Sequence, residues 1–112
     1  MRIEKVNELI GQEVSKIILE EFEFGEGIMV TVMRVEASSK LETANVWVSV
    51  FPEGKSGQVL AKLNKNIGSI QKRLNKKISL RFVPKIFFKL DTSEAYAQSI
   101  DELLFDIKQN EH

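Results

Sequence analysis

The chain has 112 residues, no cysteine, one histidine and a formal net charge of zero. This length predicts one domain over residues 1–112, and the lack of cysteine excludes disulfides and thiolate metal sites and suits the cytoplasm. Because the single histidine is the last residue, His112, histidine-based catalysis and histidine metal sites are excluded, and we expect no cofactor. No stretch resembles a signal peptide or a membrane span, so we expect neither export nor a membrane partner.

The first half of the chain predicts one helix and two strands. Apolar residues recur at helical spacing over residues 3–22, and Gly25 and Gly27 follow as a helix end. Residues 28–35 are rich in β-branched side chains, which is typical of a strand. Residues 44–50 alternate between valines and polar or aromatic residues and predict a second strand. The two strands are expected to form an antiparallel hairpin.

The second half predicts an interrupted helix, a third strand and a last helix. Helical spacing runs over residues 59–77 but includes Gly68, where glycine costs about 1 kcal/mol relative to alanine, so we expect a bend or a close approach of another backbone. Pro84 precedes a strand at residues 86–90, and residues 93–107 have the apolar stripe of a helix. The order αββααβα predicts an α+β fold, with helices on one face of a three-stranded sheet.

Charge is distributed unevenly along the chain. Residues 1–54 hold five basic and ten acidic side chains, residues 90–112 hold one and six, and residues 55–89 hold ten basic and no acidic ones. A solvated helix face usually mixes both signs, so a single sign favours a field directed at phosphates. We call residues 55–89 the basic segment. Its cations are Lys55, Lys62, Lys65, Lys72, Arg73, Lys76, Lys77, Arg81, Lys85 and Lys89.

The tripeptide Gly54-Lys55-Ser56 resembles the end of a phosphate-binding loop between a strand and a helix. That motif fails at its first glycine, where this chain has Ser49, and Pro52 stiffens the would-be loop. With Gly57, the same residues match the G-x-x-G of KH domains, which joins two helices rather than a strand and a helix. An ordinary turn is the favoured interpretation of both matches.

Two aromatic residues on the predicted strands offer a further candidate site. Trp47 faces away from the valines of its strand, and Phe87 alternates with Lys85 and Lys89, a pattern that suits stacking of RNA bases. Coverage of these rings by the last helix or by loops is the other interpretation, and the favoured one. Carboxylates such as Glu20 fall on predicted solvent faces, so we expect a binding protein and not an enzyme.

Short motifs extend over nearly the whole chain: residues 2–6, 30–36, 41–50, 63–64, 80–84 and 100–104, with Gly68, Asp91 and Ser93. None is specific alone. In this order and spacing they resemble the ribosome-binding factor A family, bacterial assembly factors of the small ribosomal subunit.

The resemblance implies a type II KH-like domain whose G-x-x-G is replaced by a helical kink of the form Ala-x-Gly, here Asn66-Ile67-Gly68. It also implies binding to 16S rRNA and to free or immature 30S subunits, late rRNA processing, growth in the cold, and release with help from an assembly GTPase. Carried over by position, Gly68 sets the kink, and the RNA contacts fall on Lys62, Lys65, Asn66, Lys72, Arg73, Lys76, Lys77 and Arg81.

Three positions depart from the family pattern. Asn66 replaces the usual alanine of the kink, Lys40 an aspartate and Asn75 a glycine. A larger polar side chain at Asn66 either changes how the two half-helices pack or itself contacts RNA.

We expect a monomer that acts on RNA. The rival from another class is a protein-protein adaptor, in which the acidic outer faces of the first and last helices recruit a basic partner and the basic segment is solvated. A second rival is a nucleotide-dependent enzyme that uses Gly54-Lys55-Ser56.

Overall fold

A computed structural model of the chain describes residues 2–92 and confirms the three helical stretches and three strands predicted there. The predicted last helix lies outside the described residues. The elements are α1 Ile3–Glu21, β1 Met29–Ala37, β2 Thr43–Phe51, a short 3-10 turn Glu53–Lys55, α2 Ser56–Lys65, α3 Ile67–Lys77 and β3 Lys85–Leu90.

The three strands form one sheet in the order β1-β2-β3. β1 and β2 pair antiparallel, as the hairpin prediction requires, and β3 pairs parallel to β2. A parallel neighbour needs a crossover connection, and α2 and α3 supply it. Because Val46 pairs with both Val35 and Phe88, the apolar side chains of all three strands share one face. The helices cover this face, which confirms the predicted α+β fold.

The core lies between this face and the helices. α1 buries five residues at helical spacing: Val6, Ile10, Val14, Ile17 and Ile18. The rest of the core is formed by Val35, Ala44, Val46, Val48, Val59, Leu63, Ile70, Leu74, Ile78, Ile86 and Phe88. Burial of each large side chain contributes about 1.5–3 kcal/mol, so the apolar stripes of α2 and α3 hold these helices with their polar sides turned outward.

Side-chain amides from two helices bind the edges of the sheet. At the start of β3, Gln71 Nε2 donates to the carbonyl of Pro84, which precedes the strand, at 3.1 Å, and Gln71 Oε1 accepts from the N–H of Ile86 at 2.8 Å. On β1, the N–H of Ala37 donates to Asn7 Oδ1 at 2.8 Å. Edge-strand groups that lack a neighbouring strand need such partners. Gln71 therefore fixes α3 against β3.

A bulge in β1 changes which side chains reach the second face of the sheet. The register shifts between Val32, which pairs with Val48, and Arg34, which pairs with Trp47. Strict alternation would direct Arg34 towards the helices, and the extra residue, Met33, turns it to the other side. We call this second face, which α1–α3 do not cover, the outer face. It carries Arg34, Glu36, Asn45, Trp47, Lys85, Phe87 and Lys89.

Candidate nucleic-acid interface

The break between α2 and α3 lies at Asn66. Its backbone, at φ −107° and ψ 13°, leaves the helical region. The side chain holds this break, because Nδ2 donates to the carbonyl of Lys62 at 2.8 Å, while the backbone N–H donates to Leu63 O at 3.2 Å. An alanine has no amide to make the first of these bonds. The kink that the resemblance implies is therefore present, and Asn66 adds a hydrogen bond at the end of α2.

Gly68 lies two residues later, exposed in the first turn of α3. A Cβ built on it would meet nothing within 4 Å, and its φ is not positive. The close approach of another backbone that we expected at Gly68 is therefore absent from the part of the chain that the structure describes. Within residues 2–92, no side chain caps the start of α3, so its first N–H groups have no side-chain partner there.

Basic side chains extend from this junction along α3. Gly68, Lys72 and Lys76 are spaced four residues apart and therefore share the outward side of the helix. Lys65 is exposed at the end of α2. Across residues 2–92, no ion pair within 4.0 Å involves Lys65, Lys72 or Lys76. We call these four positions, with Asn66, the outward row.

Arg73 faces α1 instead of solvent. Its Nη1 donates to Glu21 Oε1 at 2.8 Å, its Nη2 pairs with Glu20, and its side chain is only 25% exposed. The hydrogen bond and charge of Arg73 lower the pKa of Glu20, with smaller contributions from Lys77 and Lys16, while bonds from both glutamates raise the pKa of Arg73. Arg73 thus joins α3 to α1, and part of its charge is neutralised locally.

The remaining predicted site residues lie at the margins of the outward row. Lys62 Nζ donates to the carbonyl of Glu23 and lies 5.4 Å from the ring centre of Phe24, so it ties α2 to the loop after α1. Lys77 is exposed beside the acidic end of α1, and Arg81 follows α3 with its guanidinium 5.5 Å from the ring centre of an exposed aromatic residue, Phe82. Neighbouring groups therefore hold Lys62, while Lys77 and Arg81 are exposed.

The sequence model that describes ribosome-binding factor A matches residues 2–104 of this chain. The chain belongs to the ribosome-binding factor A family. Ribosome-binding factor A of Akkermansia muciniphila is 39% identical over 109 residues, which cover 97% of this chain and 86% of that protein. The Clostridium botulinum Okra protein of the same name is 34% identical over 112 residues, covering 98% and 93%. The predicted resemblance is confirmed.

A solved structure shows the same fold as this family member. The crystal structure of ribosome-binding factor A from Thermus thermophilus superposes with a TM-score of 0.66 over 80% of this chain and 97% of that one. Its sequence is only 18% identical, so this likeness concerns the fold alone. It supports the predicted α+β fold.

The outer face of this ribosome-binding factor A domain holds a second cluster of charge and aromatic rings. The guanidinium of Arg34 lies 4.5 Å from the ring centre of Trp47. Its Nε donates to Glu36 Oε1 at 2.8 Å and its Nη1 to Asp91 Oδ2 at 2.9 Å, and hydrogen bonding and these charges raise its pKa. Sequence reasoning selected Trp47 but missed Arg34, because strand alternation alone directs Arg34 to the opposite face.

The Gly54-Lys55-Ser56 tripeptide is part of a turn. Ser56 begins α2, is buried, and its Oγ donates to the carbonyl of Glu53 at 2.7 Å. Its hydroxyl is therefore committed to the local turn, which gives the phosphate-loop interpretation no support. Over residues 2–92 no cluster of His, Cys, Asp and Glu suits a metal ion, and none of the helices there is long and apolar enough to cross a membrane.

Proposed function

We propose that this family member binds 16S rRNA within free or immature 30S subunits and acts by binding alone. The observation that carries the proposal is the outward row, where exposed lysines lie along and beside the start of α3, with no ion pair and no side-chain cap among residues 2–92. Family membership supports the finer role in late rRNA processing and growth in the cold, with release aided by an assembly GTPase. We further propose that it works as a cytoplasmic monomer.

The chemistry of the outward row suits an RNA backbone. Lysine ammonium groups are mobile point charges that pair with phosphates without demanding one geometry. Gly68 presents bare backbone in the first turn of α3, where the N–H groups and the helix dipole favour an anion. Such contacts recognise the path of a strand more than its sequence.

The anchored cations have a different part in the proposed interface. Lys62 and Arg73 hold α2 and α3 against the end of α1 and its loop, and their charges add to the field without leaving these partners. Lys77 and Arg81 extend the exposed surface beyond the outward row. All predicted positions therefore remain in the proposed interface, and the lysines of the outward row make the direct phosphate contacts.

Charge reversal tests the proposed surface. The triple variant Lys72→Glu, Lys76→Glu and Lys77→Glu should lose co-sedimentation with small subunits while its circular dichroism stays unchanged. The matched control reverses Arg2, Lys5 and Lys40, which are exposed and outside the basic segment. It changes net charge equally and should still sediment with subunits. Binding by the first variant equal to that of the control would show that the surface is wrong.

The protein-protein adaptor is the alternative that this geometry disfavours. Two carboxylates at the end of α1, Glu20 and Glu21, are engaged by Arg73 and are less available to a basic partner. An adaptor should bind ribosomal proteins after the rRNA has been digested. Our proposal predicts that digestion of the rRNA releases the chain from the particle.

A further inference from the structure

We propose that the outer face of the sheet stacks unpaired bases of single-stranded RNA, with Arg34 over Trp47 as one platform and Phe87 as the next. The inference rests on the proposed function, because it gives the same RNA a second contact on the side of the sheet opposite the helices. It assigns base stacking to this face and phosphate pairing to the outward row.

The bulge at Met33 builds the first platform. It places Arg34 opposite Trp47, with the guanidinium 4.5 Å from the ring centre of the indole. A bulge redirects a side chain and interrupts regular strand pairing, and bulges are enriched next to functional sites. The cluster spans all three strands, since Asp91 follows directly after β3 and reaches Arg34 on β1.

The bonding of Arg34 determines which ligand it suits. The hydrogen bonds of Nε to Glu36 and of Nη1 to Asp91 fix the orientation of the guanidinium plane, and the Asp91 side chain is only 5% exposed. Trp47 lies on one side of the guanidinium, and the Arg34 side chain is still 44% exposed. The two carboxylates offset the charge that would attract a phosphate. The ligand that suits the uncovered side of the Arg34 guanidinium is a planar base, because bases stack on arginine planes and on aromatic rings.

A second ring lies beside this cluster on β3. Phe87 pairs with Asn45, two residues along β2 from Trp47, and is 38% exposed. Two residues along a strand and one strand across place these positions roughly 8 Å apart, so of two successive bases one would meet the Arg34 guanidinium over Trp47 and the other the Phe87 ring.

The charge of the β3 side complements an RNA strand. Lys89 pairs with Trp47 in the register, and Lys85 Nζ lies 5.6 Å from the ring centre of Phe87. Within residues 2–92, neither lysine has a carboxylate within 4.0 Å. Aromatic rings flanked by lysines are the arrangement with which proteins hold single strands, the rings taking bases and the lysines taking phosphates.

Tryptophan fluorescence tests the inference, because Trp47 is the only tryptophan of the chain. Titration of the full chain with a single-stranded oligoadenylate of eight nucleotides should quench Trp47 to saturation, and an RNA duplex at equal phosphate concentration should not. Arg34→Lys keeps the charge but removes the planar group, and should weaken the apparent affinity about tenfold, or ~1.4 kcal/mol. The matched control Arg2→Lys should bind as the unmodified chain does.

A second variant keeps the test decisive if Arg34→Lys disturbs the fold. Phe87→Leu alters a partly exposed ring and should weaken binding several-fold with an unchanged thermal midpoint. The absence of quenching by the single strand would overturn the inference. Equal quenching by the duplex, or unchanged affinity in both variants, would also overturn it.

The two proposals fail separately. If the triple variant at Lys72, Lys76 and Lys77 stops sedimenting with subunits while Arg34→Lys and Phe87→Leu bind the oligonucleotide normally, the proposed function stands and the stacking face falls. If both outer-face variants lose affinity while the triple variant sediments normally, the stacking face stands and the α3 surface falls.

Discussion

The outward row of α3 and the Arg34 cluster of the outer face use positive charge in opposite ways. Lys72 and Lys76 project from a helix, with no carboxylate within 4.0 Å in the described part of the chain. Arg34 is held by an indole ring and two carboxylates. The first arrangement offers mobile charge, whereas the second offers an oriented plane whose charge is largely offset.

The difference shows that a count of cations does not describe a binding surface. Arg73 belongs to the basic segment, but Glu20 and Glu21 bring it closer in character to Arg34 than to its neighbour Lys72. What separates the two classes is the set of partners that tertiary packing brings to each side chain. Substitutions that add or remove such partners therefore test how each cation contributes to RNA binding.

The largest expected effect follows from neutralising the free lysines. In Lys72→Gln with Lys76→Gln, two phosphate contacts are lost, and the slope of log affinity against log salt should become shallower by about 1.4–1.8. If the variant and the unmodified chain bind equally at 1 M salt, the variant should bind rRNA roughly 25- to 60-fold more weakly at 0.1 M. Fluorescence anisotropy with a labelled rRNA fragment measures both values.

The unmodified chain provides the reference slope for this experiment. If about five cations of the surface each neutralise one phosphate, its slope should be about −3.5 to −4.5. The control double variant at Lys5 and Lys40 should keep that slope. A reference slope near zero would contradict the electrostatic basis of the interface.

The next effect concerns stability and should leave RNA affinity unchanged. Gln71, beside Lys72 on α3, bonds the edge of β3 at Pro84 and Ile86. Gln71→Ala leaves these backbone groups without that partner, which should cost about 1–3 kcal/mol of the free energy of unfolding. Urea unfolding measures it, and Gln58→Ala on the exposed side of α2 is the matched control. An equal loss in both variants would show that Gln71 has no special role.

Much of the fold followed from local patterns. Alternation around Trp47 correctly assigned the two faces of β2, and the helical spacing correctly assigned the buried sides of α2 and α3. Gly68 was expected to bend the helix or admit a close neighbour because of its low helix propensity. The break lies within the predicted Asn66-Ile67-Gly68 kink, and its non-helical residue is Asn66, whose side chain donates to the carbonyl of Lys62.

The remaining features depend on tertiary structure. The family resemblance placed Arg73 among the RNA contacts, but no local pattern could show that the end of α1 lies beside it. The bulge at Met33 also leaves no mark in a segment of mixed apolar residues, so the position of Arg34 on the outer face was not foreseen. The direct RNA contacts of the basic segment stay predictions. Among them, Lys62 and Arg73 are bonded to other parts of the chain, whereas Lys72 and Lys76 have no ion pair within residues 2–92.

A smaller effect should appear when Arg73 is released from its partners. In Glu20→Gln with Glu21→Gln, Arg73 loses two carboxylates and joins the free cations of the surface. If the variant and the unmodified chain bind equally at 1 M salt, one added phosphate contact should make the variant bind rRNA roughly 5- to 8-fold more tightly at 0.1 M. Glu4→Gln with Glu8→Gln makes the same charge change at the far end of α1. If this control gains as much affinity, net charge and not the release of Arg73 is responsible.

The smallest effect should be a pH dependence of stability specific to the Arg73 pair. The hydrogen bond and charge of Arg73 lower the pKa of Glu20 below its ordinary 4.5 in the folded chain. The unfolded chain therefore takes up a proton first as pH falls, so the stabilisation is complete above pH 4.5 and is lost as pH falls through the lowered folded value. In Arg73→Gln the interaction is absent at every pH. The thermal midpoints of the two chains should therefore differ most at pH 6 and converge towards pH 3, whereas Lys72→Gln should show no such convergence. A constant difference for Arg73→Gln would mean that Arg73 stabilises α3 by packing and not by its bond to Glu20.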